Sequence, residues 1–206
     1  MKIPFRYQAT EYDCVPTTFI NALQYLFDRD EIPPVVIQKI MQYSLDTVNK
    51  RGELGKGGGT TALAVQMILQ WLESYSNKSF AFRRCEYLPQ EQIHLRQGNK
   101  IISCINSGGV ALLCVCADNS GSCFHYLLAL GVDSNDSGYL KFFDPYYRVK
   151  NFTNKNSDSL QWLGNSNRQE PNLRISRKHL DFDSYVKYGM GPVDVRECCL
   201  LERQQN

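Results

Sequence analysis

What these 206 residues lack narrows the field before any motif is read. There is no long apolar run: the longest uncharged one is VALLCVCA at 110–117, far short of the roughly 20 residues that a membrane-spanning helix needs. The amino terminus, MKIPFRYQ, carries no apolar core of a secretory signal. The expected setting is therefore cytoplasmic, with no membrane partner. Charge of one sign is not in excess either: 23 basic and 21 acidic residues give a formal net charge of +2. They are scattered, so no basic footprint for nucleic acid is present and no nucleic-acid partner is expected. Histidine is scarce, with three residues, so any imidazole chemistry has only His94, His125 and His179 to draw on. No internal repeat is visible, which excludes solenoids and propellers.

Cysteine, by contrast, is plentiful. Eight thiols, at 14, 85, 104, 114, 116, 123, 198 and 199, occur in a chain with no signal and enough apolar residues (43%) for a core. They read as reduced, mostly buried side chains rather than as a disulfide framework. The length suits one domain, residues 1–206.

Hydrophobic spacing divides the chain. CVPTTFINALQYLF (14–27) has the 3.6-residue period of a buried-face helix, with Asp13 placed to cap it and Pro16 in the first turn. A second helix follows Pro33-Pro34 over VVIQKIMQYSL. The glycine-rich GELGKGGGT (52–60) leads into a third, ALAVQMILQWLESY, capped by the Thr60-Thr61 pair. That glycine stretch is not a phosphate loop, because its lysine precedes the glycines. EQIHLRQGNKIISCINSGG reads as a short helix closing at a glycine turn. Strand-like runs then cover 110–116, 124–133 and 138–147, and VRECCLL forms a closing strand. Residues 151–176, rich in Asn, Ser and charge with Trp162 and Leu163 as apolar anchors, read as a long surface excursion. Helices first and strands later mean an α+β fold, with a helical lobe over about 1–100, an antiparallel sheet lobe over about 101–206, and a cleft between them.

The candidate chemistry starts at Cys14. A thiol attacks as thiolate, which the positive end of a helix and a neighbouring imidazolium both favour. Cys14 has the first by position. His94 and His179 sit in polar surroundings that predict solvated side chains. His125 lies within FHYLLALG, where a buried imidazole needs a hydrogen-bond partner. Hairpin geometry supplies one. If the turn centres on Ser134-Asn135, His125 faces Asp144 directly; if it centres on Asn135-Asp136, the two are diagonal neighbours on one face. Such a carboxylate would orient the ring and stabilise its charged form. Gln8, a few residues before the helix start, can supply a side-chain N–H to a developing oxyanion, together with the backbone N–H of Cys14.

Gln8, Asp13-Cys14, Phe124-His125-Tyr126 and Phe143-Asp144-Pro145 resemble, in order and local sequence, the C39-like cysteine peptidases of the papain-like superfamily, over roughly residues 1–147. The glycine-rich lead-in GGGTTALAVQMILQWL is similar to that family's pattern as well. The resemblance implies a papain-like fold and a cysteine peptidase or amide hydrolase. Cys14 would be the nucleophile, His125 the base, Asp144 its orienting acid and Gln8 the oxyanion donor, acting on a peptide or protein substrate without cofactor. The same four residues serve deamidation or acyl transfer, and the fold can also persist as an inactive peptide-binding module. Val15 stands where the family usually has glycine, and residues 148–206 carry no motif of it. A zinc site from Cys114, Cys116, Cys123 and His125 is disfavoured because neither cysteine pair has knuckle spacing, so no metal is expected.

Overall fold

The computed structural model describes residues 1–45, 59–75, 77–152, 158–165 and 169–205. Most of the glycine-rich stretch (52–58) and parts of the polar excursion (153–157 and 166–168) lie outside them. The architecture is α+β. Helices α1 (Cys14–Leu26), α2 (Pro34–Leu45) and α3 (Ala62–Ser74) come first; β1 (Phe82–Tyr87), α4 (Lys100–Asn106), β2 (Val110–Cys116), β3 (Phe124–Val132) and β4 (Tyr139–Phe143) follow. The chain ends with β5 (Leu160–Trp162), β6 (Leu173–Ser176), the single turn α5 (Arg177–Leu180) and β7 (Cys198–Arg203). The strands form one seven-stranded sheet in the order β1-β7-β2-β3-β4-β6-β5, and every pairing is antiparallel.

Alternation along the strands explains the layers, since successive side chains point to opposite faces. Val110, Leu112 and Cys114 of β2 join Phe19, Leu23, Ile40, Ile68 and Leu72 in one core under α1–α3. Ala111, Leu113 and Val115 join Ile101, Cys104 and Ile105 of α4, together with Leu160, Leu173 and Ile175, in a second core on the other face. Because both faces are covered, β2 is buried along its whole length, which is why it reads as an unbroken apolar run.

Three sequence expectations need correction. The helical part does not extend to residue 100: β1 begins at Phe82 and pairs with β7, while α4 lies beyond it on the opposite face of the sheet. The single helix expected over EQIHLRQGNKIISCINSGG is a 3-10 turn at Gln90–Gln92 and then α4. Gly98, at φ +74°, breaks the chain between them, and Asn99 accepts from the Ile102 N–H as the cap of α4. The excursion contributes β5 and β6 rather than running wholly over the surface; its buried anchors are Leu160, Leu173 and Ile175, whereas Leu163 is exposed. Thr61 caps α3 as expected, accepting from the Ala64 N–H. Among the described residues no helix is long and apolar enough to cross a membrane.

Candidate active site

Cys14 opens α1, and the helix is fixed to β3 one turn later: the Thr18 hydroxyl donates to the carbonyl of Tyr126, the residue after His125, at 3.2 Å. That bond sets the thiol beside the imidazole. Both side chains are nearly buried, Cys14 at 8% and His125 at 9% exposure. Asp13 stands at the N-cap but makes no side-chain cap bond. Its carboxylate instead accepts from the N–H groups of Ala9 and Thr10 at 2.9 and 2.7 Å and from the Thr10 hydroxyl. The expected cap is therefore a clasp on the loop that precedes the helix. Burial opposes ionisation of Asp13, but these donors outweigh it and hold its pKa below the usual carboxylate value.

The hairpin takes the diagonal arrangement. Leu128 pairs with Phe143 and Ala129 with Phe142, with a bulge before Gly131–Lys141. Continued one step past Phe143, this register sets Asp144 across from Leu127, two residues along the strand from His125. The side chains meet: His125 Nε2 lies 2.7 Å from Asp144 Oδ1. The carboxylate is 3% exposed, and it also accepts from the Tyr146 N–H at 2.8 Å and the Tyr188 hydroxyl at 2.6 Å. Burial works against its charge, but His125 and these two donors hold its pKa low. An ionised carboxylate only accepts, so Nε2 carries a proton and Nδ1 is the ring nitrogen left for the thiol. Burial also works against protonating the ring. The charge and hydrogen bond of Asp144 override it, helped by a hydrogen bond with Cys14, and push the pKa of His125 up to about 10.

Gln8 is positioned through its backbone, whose N–H donates to the carbonyl of Pro145 at 2.9 Å. Tyr7 beside it packs against Phe143 and Tyr147 with ring centroids 5.3 and 5.0 Å away. The Gln8 amide donates to the carbonyl of Thr10 at 2.8 Å, in the loop clasped by Asp13. Its Oε1 is buried without a partner among the described residues. Gln8 and His125 share the wall of a cavity of about 290 Å³. Val15, 1% exposed, packs into the core beneath α1.

Two residues that the sequence reading passed over complete the site. Asn172, buried at 2%, brackets Asp144: its Oδ1 accepts from the Asp144 N–H at 2.7 Å and its Nδ2 donates to the Asp144 carbonyl at 2.9 Å. Tyr188 lies in the left-handed region at φ +64°, uncommon for a bulky residue and a mark of local strain. Its hydroxyl donates to Asp144 and accepts from Arg148 at 2.7 Å. Nothing local in PNLRIS points to Asn172. The glycines in YGMG do mark a special turn around Tyr188.

His94 and His179 lie outside this cluster. His179 is half-buried, with Nε2 2.8 Å from the Lys187 carbonyl, and His94 Nδ1 accepts from the Arg96 N–H. All eight cysteines are free, and among the described residues no group of three or more His, Cys, Asp or Glu side chains is placed to hold a metal ion. Comparisons with protein-family models, with curated proteins and with solved structures return no match.

Proposed function

We propose that the chain is a papain-like cysteine hydrolase of the C39-like kind, cleaving a peptide or amide bond in a peptide or protein substrate. One observation carries this reading. The ring whose Nε2–H donates to Asp144 at 2.7 Å also faces the thiol at the start of α1, which helps raise the ring's pKa. A buried imidazolium held between carboxylate and thiol favours transfer of the thiol proton to the ring.

In this mechanism Cys14 Sγ attacks the carbonyl carbon and the C–N bond breaks. The His125 proton passes to the departing nitrogen, leaving a thioester and a free amine. Water then adds to the thioester with His125 as base, giving a carboxylic acid and restoring the thiol. One water is consumed per bond. The backbone N–H of Cys14, unpaired within the first turn of its helix, and the second N–H of the Gln8 amide are the available oxyanion donors. Asp144 orients the ring, and Asn172 and Tyr188 position Asp144. Burial of Val15 in the core supports a site that this residue does not obstruct. Eight free thiols support a reducing, cytoplasmic setting.

The test is labelling by an epoxide or vinyl sulfone probe, read by intact mass and peptide mapping. The expected result is a single adduct on Cys14 that forms far faster than on the exposed Cys123 and disappears in His125→Ala. Labelling of Cys14 no faster than of Cys123 overturns the reading.

A further inference from the structure

The cavity beside the imidazole bears on what the enzyme releases. Its wall includes Gln8, Glu11, His125, Arg148, Lys187 and Tyr188, but not Cys14. A ring that hands its proton to the departing nitrogen must touch that nitrogen. Space bordered by the imidazole and not by the thiol therefore suits the part of the substrate beyond the scissile bond. At about 290 Å³ it sits at the low end of the roughly 300–1,000 Å³ of ligand pockets, room for a short leaving portion.

Its chemistry is cationic. Arg148 and Lys187 border it, and among the described residues neither has a carboxylate within ion-pair distance. Glu11 is the single carboxylate in the wall. The guanidinium of Arg148 is held in place, donating to the Tyr188 hydroxyl at 2.7 Å and lying 4.1 Å from the ring centroid of Phe152. Its other N–H groups make no hydrogen bond among the described residues. A planar fork already oriented and partly unused suits a carboxylate, because little side-chain entropy remains to be lost on binding.

We propose that this cavity is a carboxylate-binding subsite for the leaving side, in which Arg148, seconded by Lys187, takes a carboxylate borne by the residue released as the new amine. The carboxylate is either the terminal one of a short leaving fragment or an acidic side chain just after the scissile bond. The first makes the protein a trimmer of chain ends, the second an endopeptidase cutting before Asp or Glu.

This inference rests on the hydrolase reading, so the experiment has two stages. Probe labelling of Cys14 comes first; without it both readings fall. Next, a peptide mixture is digested in which the residue after each bond is Glu, Gln, Asp, Asn or Ala and the carboxyl end is free or amidated, with fragments identified by mass. The expected result is a kcat/KM roughly tenfold or more higher for a carboxylate than for the matching carboxamide, the scale of a charge-assisted hydrogen bond. The Glu-over-Gln and free-over-amidated comparisons tell the two sources apart. In Lys187→Gln and Arg148→Gln the ratio falls toward one, mainly through KM, and Arg148→Lys restores part of it. Cleavage without carboxylate preference, a preference unchanged in both neutral variants, or labelling of Cys14 with no peptide cleaved each overturns the subsite while leaving the reactive thiol standing.

Discussion

Replacing Asp144 by Asn tests the buried charge pair directly. In the wild type, Oδ1 receives two donors, His125 Nε2–H and the Tyr146 N–H, and Oδ2 receives the Tyr188 hydroxyl. An amide offers one oxygen and one NH₂, so in either orientation its NH₂ confronts a donor. Breaking a buried pair by removing one partner costs about 3–5 kcal/mol. Here the ring can shed its proton and present Nε2 as an acceptor to the new amide, which recovers part of that. The expected loss is about 2–4 kcal/mol in urea unfolding at pH 7, followed by tryptophan fluorescence. The pH dependence follows from the two shifts. His125 is raised from 6.5 to about 10, so its contribution is complete below pH 6.5 and is lost as the pH climbs toward 10. Asp144 is depressed, so its contribution is complete above its ordinary value of 3.8 and is lost on acidification through its lowered pKa. The wild-type advantage over Asp144→Asn should therefore be largest between about pH 4 and 6.5. In an NMR titration the wild-type ring stays protonated well beyond pH 7. In the variant only the Cys14 contact still opposes burial, so the ring titrates well below the wild-type value. A loss under about 0.5 kcal/mol, with the two rings titrating alike, would refute the pair.

Other substitutions separate chemistry from support. Cys14→Ala should abolish probe labelling and hydrolysis while changing unfolding free energy by less than about 2 kcal/mol, because the side chain is small and lies at a helix start; failure to fold would favour a structural thiol. Asn172→Ala leaves the N–H and C=O of Asp144 without their side-chain partners in a buried site, and should cost about 2–4 kcal/mol and lower kcat in step. Tyr188→Phe removes one donor from Asp144 and one acceptor from Arg148, and should cost about 1–3 kcal/mol. It should also move the alkaline limb of the activity profile, a readout that loss of packing alone would leave in place.

Much of the site was legible because it follows from local pattern. The 3.6-residue spacing after Asp13 sets Cys14 at a helix start, and the apolar run around His125 demands a partner that a short hairpin connection can supply only within a narrow choice of registers. The bulge between Ala129 and Gly131 selected among them, and no single-sequence rule predicts where a bulge falls. The edge strand β1 was missed because FRRCEY carries charges, as edges do when they avoid further pairing. β5 and β6 were missed because three- and four-residue strands give too few alternations to stand out from a polar segment. Asn172 and Tyr188 act through contacts with residues 28 and 44 positions away, and such contacts leave no periodic trace.

The placement of β7 between β1 and β2 has a consequence for how the protein is born. Until residues 198–203 leave the ribosome, the strand bearing the imidazole has no bridge to β1, and Leu112 and Leu200 lack the neighbours that bury them. Pairings this distant in sequence form slowly, so β1 should join the sheet late, after the local β2–β3 and β3–β4 hairpins that carry His125 and lead to Asp144 have closed.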